Sequence, residues 1–408
     1  MQGKIKVFAD NKPAGDYFYN ESLREHIFIY TKDNPISLVM PYKKEPYVNQ
    51  FKMIPIFDQF MPEGWLFEYL KNQLKKRIKN FEENDFTIFE TLAPNIKGFL
   101  TFKTGKKAKL NKKVKFSLSE ILENDTFDIF YELVNNYLFS SAISGMQPKV
   151  LVPLTDKSYA ITDDYVVKIF GEEFPHLAEN EYFCMKAVKK AEIPVPDFWL
   201  SSHKKFFITK RFTKTNLDKK FLAFEEFCTL FGRTRDGKYS GSYESIAKAL
   251  RKISSNPEKD LEVYFKMVVM NFLLKNGDAH LKNFGVLYTS PYTGDVRIAP
   301  AYDVVCTVGY IPSDQPALTL FGKKVWFSKK ELIEFGITSC LLEPNIAKIL
   351  FEQCENAVAE TKKEIEVYVK EEPTNTQNFF RRFLKILDFS LTKNLKSTYK
   401  NLSKEIGL

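Results

Sequence analysis

The segment Asn276-Gly277-Asp278-Ala279-His280-Leu281-Lys282-Asn283-Phe284 concentrates the groups that can do chemistry in this chain. It holds a carboxylate, an imidazole, an amine and an amide within six positions. A second carboxylate, Asp303, follows Tyr302 twenty residues after Asn283. Magnesium takes oxygen ligands from one or two carboxylates or amides together with substrate phosphates. Asn283 and Asp303 can supply that pair. A hydroxyl nucleophile needs a carboxylate to orient it and accept its proton, and Asp278 stands five positions before Asn283. This Asp-x-x-x-x-Asn spacing is that of the protein-kinase catalytic loop. Lys282 can neutralise charge developing on a transferred phosphoryl group. Phosphoryl transfer is the chemistry this set suits. His280 is a nucleotide-contact candidate, with a packed or turn-stabilising histidine as the other reading. Taken alone, Asp278 reads rather as a cap on a turn and Asp303 as a cap on a strand end.

The elements around this segment must bring the two carboxylates together. Leu261–Leu274 is apolar on nearly all faces and predicts a buried helix, broken by Asn276-Gly277. Phe284–Tyr288 and Val296–Ala301 predict two strands joined by a turn at Ser290–Gly294. The open ends of a hairpin lie about 5 Å apart, so Asn283 and Asp303 are expected to meet.

Upstream, the parts a kinase needs occur in order. Ser144-Gly145-Met146-Gln147-Pro148-Lys149 is the phosphate-loop candidate, with one glycine rather than three. Lys168 lies in the apolar run Tyr165–Phe170, where a charge needs a partner. Glu181 on the next helix can be that partner, with Glu179 as competitor. Thr209–Phe212 is the candidate hinge.

The remaining patterns set the frame. Lys4–Phe8 and His26–Tyr30 alternate as strands, and Ile56–Ile78 reads as helical with an interruption at Pro62-Glu63-Gly64. Ser119–Leu138 predicts a helix. Val150–Val152, Tyr159–Ile161 and Tyr165–Phe170 predict strands, with a tight turn at Thr162-Asp163-Asp164. Leu177–Lys190 predicts a helix ending before Ile193-Pro194-Val195-Pro196. Phe206–Thr209 is a strand, and two amphipathic helices cover about 344–371 and 375–404. The expected fold is α+β and bilobal, protein-kinase-like. A small β-rich lobe at 106–212 and a mostly helical lobe at 213–408 follow an α+β subdomain at 1–105. The Lys-rich stretch Lys103–Lys115 is the boundary between the first two.

Composition excludes several classes. The chain has 408 residues, 44% hydrophobic and 27% charged, which is neither disordered, collagen-like nor a disulfide-stapled miniprotein. Its net charge of +9 is compatible with nucleic-acid or acidic partners, or with a solvated Lys-rich surface. Five cysteines without a CxxC pair point to a reducing compartment. His26, His176, His203 and His280 are scattered, against a catalytic zinc. The sequence carries no apolar signal-peptide core or membrane-span-length apolar run, so a cytoplasmic location is expected.

With these residues in place, the chain resembles the HipA family of serine/threonine-protein kinase toxins of bacterial toxin–antitoxin systems. Asn276–Phe284 resembles the family's catalytic loop and Ala301-Tyr302-Asp303 its magnesium-binding Tyr-Asp. Ser144–Lys149 resembles its ATP-binding loop and Val167-Lys168 its nucleotide-binding strand. Asn180-Glu181-Tyr182 with Ile193–Asp197 resembles the helix and turn that follow. Lys210-Arg211-Phe212 stands at the adenine-contacting hinge, with Lys210 replacing a family acidic residue. Ala317–Lys324 resembles a stretch beyond the active site. Phe57–Gly64, Asp85–Leu92 and Gly98–Thr101 resemble the family's small N-terminal domain, which is a separate chain in the related HipS–HipT systems.

The resemblance implies ATP and Mg2+ as cofactors and a protein substrate carrying a target serine, often an aminoacyl-tRNA synthetase. It implies a helix-turn-helix antitoxin as partner, DNA contact only through that antitoxin, and no membrane. It also implies autophosphorylation at Ser144, with Ser141 one place off register and Ala142 at the second family position. The fused N-terminal domain is expected to restrain the kinase. A catalytically silent binding or repressor subunit and a small-molecule phosphotransferase are the competing readings.

Overall fold

The computed structural model describes residues 2–77, 81–105, 116–137, 149–155, 162–169, 174–215 and 220–392. The chain forms two compact units. The first comprises residues 1–170, 197–237 and 287–295, and the second residues 171–196, 238–286 and 296–408.

The first unit is built on two antiparallel sheets. Strands β1 (Gln2–Ala9), β2 (Lys12–Asn20), β3 (Glu25–Tyr30), β4 (Tyr47–Gln50) and β5 (Leu100–Lys103) stand in the order β4-β3-β2-β1-β5. Alternation puts Ile5, Val7, Tyr17, Phe28 and Tyr30 on the buried face. Against them packs helix α1 (Asp85–Leu92), whose start is fixed by Asn84 accepting from Thr87 N–H at 2.8 Å. Aromatic rings fill the layer between: Tyr17 stacks on Phe57 with centroids 4.1 Å apart, and Phe89 meets Phe102 edge-on at 5.2 Å. The second sheet joins β6 (Lys149–Thr155), β7 (Thr162–Ile169), β8 (Phe198–Leu200) and β9 (Phe206–Lys210) in the order β6-β7-β9-β8.

Three buried carboxylates knit distant parts of this unit together. Glu225 accepts from Ser37 Oγ at 2.6 Å, from Leu38 N–H at 2.8 Å and from the Tyr288 hydroxyl. Asp58 accepts from the Arg235 backbone N–H at 2.6 Å and its guanidinium at 2.5 Å, and the same guanidinium reaches Asp85 at 2.5 Å. Asp125 accepts from the Ser201 hydroxyl, from His203 and Lys205 N–H at 3.1 and 3.0 Å, and from His203 Nδ1 at 2.6 Å.

The second unit is helical. Helix α2 (Leu177–Lys190) packs along α6 (Pro344–Lys370). Phe183 meets Tyr368 edge-on at 5.0 Å, and Lys190 bridges Glu360 and Glu364 at 3.1 and 2.9 Å. Helix α3 (Tyr243–Ile253) flanks α4 (Pro257–Leu273), which is buried along most of its length as its apolar run requires. The buried Lys266 of α4 donates to the Ala191 and Glu192 carbonyls at 2.7 and 3.1 Å, satisfying the end of α2. Helices α5 (Lys329–Thr338) and α7 (Thr374–Thr392) complete the packing around α6. No helix among the described residues is long and apolar enough to cross a membrane.

Several sequence expectations change. Thr162-Asp163-Asp164 is not a turn: it opens β7, paired with Thr155, Leu154 and Pro153 of β6. Continuous ladder pairing outweighs the local turn preference of aspartate. Ser119–Leu138 is two helices, Leu118–Glu123 and Phe127–Tyr137, because Asp125 is drawn into the hydrogen bonds above. The second hairpin strand is only Arg297–Ile298. Tyr159–Ile161 and residues 393–404 lie outside the described residues. The helix Leu177–Lys190 groups with the helical unit rather than with the strands it follows.

Candidate active site

The 276–284 loop leaves α4 through two residues with demanding backbone. Lys275 has φ of 55°, in the left-handed region. Gly277 lies so close to its neighbours that a Cβ would stand 2.0 Å from Asp314 Oδ2 and 2.8 Å from the Gln315 carbonyl. The loop is then pinned by short polar contacts. Buried Asn276 donates to Asn271 Oδ1 at 2.7 Å and accepts from Asp278 N–H at 3.1 Å, forming an Asx turn. Thr307 Oγ1 accepts from Gly277 N–H at 2.7 Å and donates to the Lys275 carbonyl at 3.2 Å. Asn283 Oδ1 accepts from His280 N–H at 3.2 Å, closing the single turn Leu281–Asn283.

The expected meeting of Asn283 and Asp303 holds: both border one small cavity, together with Asn271, Asn276 and Tyr302. Two bonds fix the approach. Ala299 N–H donates to the Gly285 carbonyl at 2.9 Å, and Tyr302 OH donates to the Lys282 carbonyl at 2.7 Å. Asp303 has φ of 59°, a strained setting that aspartate tolerates better than most residues. The donor set, one carboxylate and three side-chain amides, offers the hard oxygens that suit Mg2+.

Asp278 has half of its side chain exposed. Desolvation by the surrounding protein nevertheless pushes its pKa up to about 6, with the Asp303 and Asp314 carboxylates adding to the rise; the Tyr239 hydroxyl and Lys238 act in the opposite direction. Tyr239 OH donates to Asp278 Oδ1 at 2.8 Å, and His280 Nε2 lies 4.0 Å from the same oxygen. Lys282 is buried within the single turn.

The other predicted residues are placed as follows. Lys168 is buried in β7, in register with Phe207 of β9, its Nζ 5.7 Å from that ring's centroid, and with Lys149, the first residue of β6. Lys210 ends β9 and donates its N–H to the Asp197 carbonyl at 2.8 Å. Arg211 binds Thr213 Oγ1 and the Lys97 carbonyl, both at 2.6 Å, and Phe212 meets Phe224 edge-on at 5.5 Å. Glu181 is fully buried in α2. Its competitor Glu179 is held by Tyr368 OH at 2.5 Å and His176 Nδ1 at 2.7 Å. Ser141, Ser144, Gly145, Met146, Gln147 and Pro148 lie outside the described residues.

Sequence reasoning missed Asn271, Thr307 and Tyr239, and gave Asn276 no role of its own beyond breaking the helix at the head of the catalytic-loop segment. It also gave no reason for Asn180. That buried amide clamps the segment after Asp303, accepting from Cys306 N–H at 2.9 Å and donating to its carbonyl at 3.1 Å.

Comparison with known proteins identifies the family. Residues 141–362 match the model of the HipA-like C-terminal domain, and residues 5–103 match that of the HipA N-terminal domain. The chain belongs to the HipA family. A Haemophilus influenzae protein bearing the name "Putative kinase" is 31% identical over 41% of this chain and 53% of its own length, so the chain spans about half of that relative. The Sinorhizobium fredii protein named "Putative kinase Y4dM" is 24% identical over 77% of this chain and 75% of its own. Among solved structures, a chain of the Shewanella oneidensis MR-1 complex of HipA, HipB and operator DNA superposes with a TM-score of 0.69. That match is at 16% identity and covers 99% of both chains.

Proposed function

We propose that this HipA-family chain is an ATP- and Mg2+-dependent serine/threonine-protein kinase acting as the toxin of a toxin–antitoxin pair. The observation that carries the reading is local to the second unit. Asp278, Asn283 and Asp303 come from one loop and the strand pair after it at kinase spacing; hydrogen bonds hold Asp278 and Asn283, and Tyr302, the neighbour of Asp303, donates to the Lys282 carbonyl. Asp278 orients the acceptor hydroxyl and takes its proton as the oxygen–phosphorus bond forms and ADP departs. A pKa pushed up to about 6 leaves it ionised at neutral pH yet basic enough to accept that proton. Asn283 and Asp303 would hold Mg2+, which when bound neutralises charge on the nucleotide phosphates. Lys282 supplies positive charge beside the transferred group, and Lys168 is the residue that would bind nucleotide phosphate. His280 contacts the nucleotide, and Ser144 is the site of self-modification.

The relatives' names support kinase chemistry, and the HipB and operator DNA of the Shewanella complex support a DNA-binding antitoxin as partner. The deciding experiment is incubation of the full chain with ATP and magnesium beside Asp278→Asn, followed by intact mass and phosphopeptide mapping. Phosphate on serine in wild type alone is the expected result. Equal phosphate in both proteins would overturn the role of Asp278. Transfer to a small metabolite, with none to protein, would overturn the protein-kinase assignment.

A further inference from the structure

Asp278 has a companion that no motif singles out. Tyr239 donates its phenolic O–H to Asp278 Oδ1 at 2.8 Å. That is the kind of contact through which an acceptor hydroxyl would hand over its proton. The contact is built rather than incidental. The Tyr239 ring meets His280 edge-on with centroids 5.1 Å apart, and Lys238 Nζ lies 5.3 Å from the Tyr239 ring centroid. The Tyr239 carbonyl accepts from Lys324 Nζ at 3.3 Å.

The residues on either side are fastened as well. The Lys238 carbonyl accepts from Leu281 N–H at 3.1 Å, inside the Asp278 loop. The Gly241 carbonyl accepts from Thr319 N–H at 3.1 Å and Thr319 Oγ1 at 3.2 Å. Segment 238–241 therefore runs between the 276–284 loop and the Ala317–Lys324 stretch that the sequence had marked without a role. From this segment the Tyr239 phenol reaches the Asp278 carboxylate, and the Lys238 charge acts on the same group.

We propose that Tyr239 is a positioning residue that guards Asp278. Its hydroxyl fills the acceptor's hydrogen-bonding place on the carboxylate until an acceptor hydroxyl displaces it, and it keeps water out of that place meanwhile. The inference rests on Asp278 being the proton acceptor. The suppressed reaction is hydrolysis. A water oxygen bonds to the γ-phosphorus, the bond from that phosphorus to the bridging oxygen of ADP breaks, and the water proton passes to Asp278. Without the guard, ATP is consumed with no protein modified.

The test uses the full chain with magnesium and ATP alone, following ADP release in wild type, Tyr239→Phe, Tyr239→Ala and Asp278→Asn, with thermal melts alongside. Tyr239→Phe keeps the ring and loses only the hydroxyl. It is expected to hydrolyse ATP about five- to tenfold faster than wild type at an unchanged melting temperature. With dephosphorylated casein as acceptor it should show a lower KM and a kcat within about twofold of wild type. If the ring merely packs, Tyr239→Phe will match wild type and only Tyr239→Ala will differ, and the proposal falls. It also falls if phosphopeptide mapping finds phosphate on Tyr239, because the phenol would then be an acceptor. The parent reading fails separately, through an Asp278→Asn protein that hydrolyses ATP as fast as wild type.

Discussion

The buried carboxylates of the first unit and Asp278 of the second are the same functional group put to opposite uses. Asp125 receives two backbone N–H groups, a hydroxyl and an imidazole; Glu225 receives three donors. Burial raises the pKa of both. At Asp125 the donors outweigh it and the net shift is downward, whereas at Glu225 the net shift stays upward. Each is saturated and out of reach of any reactant. Asp278 is half exposed, and Tyr239 OH is its close donor from a neighbouring segment. A saturated carboxylate holds a fold together; one with acceptor capacity left over, placed beside metal-type ligands, is free to take a proton.

The largest effect that would sharpen this contrast is on turnover. Asp278→Asn should lower kcat by about 10²–10⁴-fold while leaving the melting temperature nearly unchanged, measured by phosphate transfer and calorimetry on the same sample. The reverse pattern is expected at Asp125. Asp125→Ala should cost about 3 kcal/mol in urea unfolding by stranding its donors, with little change in the residual activity of the folded fraction. A large loss of stability in the first variant, or of activity per folded molecule in the second, breaks the comparison.

A smaller effect follows from pH. Because Asp278 must be ionised and its pKa is pushed up to about 6, kcat/KM should fall about tenfold per unit as pH drops below 6 and level off above it. A profile still flat at pH 5 would deny it the role of base. Asp125 has the opposite sign. Its lowered pKa contributes stability above the ordinary aspartate range, and that contribution disappears only as pH falls through the depressed value.

The smallest effect tests a group with no such use. Lys275 Nζ is buried without a hydrogen-bond partner among the described residues, 4.7 Å from the Trp326 ring centroid. Burial pushes its pKa down to about 7. A lysine whose folded pKa lies below its unfolded value binds fewer protons when folded, so stability should rise with pH between about 7 and 10. Lys275→Met should remove that slope and stabilise the chain by about 1–2 kcal/mol near neutral pH, read from urea melts at pH 7 and pH 9.

What could be read from the sequence follows from how local each signal is. Asp278, Asn283 and Asp303 were legible because a short loop and a hairpin bring them together with little intervening chain. The helix Leu177–Lys190 was legible from its apolar spacing and the prolines after it. Tyr239 and Thr307 were not, since their partners lie some thirty to forty residues away and follow no period. The Asp163-Asp164 pair misled because turn preference is a local property, while the pairing of Thr162–Tyr165 with Val152–Thr155 is decided by the register of a whole strand pair. Asp125 read as an interior helix residue because its partners, Ser201 and His203, come from beyond the next three strands.

The Arg235 clamp on Asp58 and Asp85 also bears on how the protein is made. The N-terminal sheet is fully synthesised by Lys103, yet the guanidinium that pairs with Asp58 and Asp85, which lie between its strands in sequence, belongs to residue 235. At a ribosomal pace of roughly 5–20 residues per second, the nascent sheet waits on the order of ten seconds for that charge. During this interval Asp58 has neither of its Arg235 donors, and Glu225, which later takes up the Ser37 hydroxyl and the Leu38 amide, has not been made. The contacts of the first hundred residues are thus completed only once residue 235 has been made.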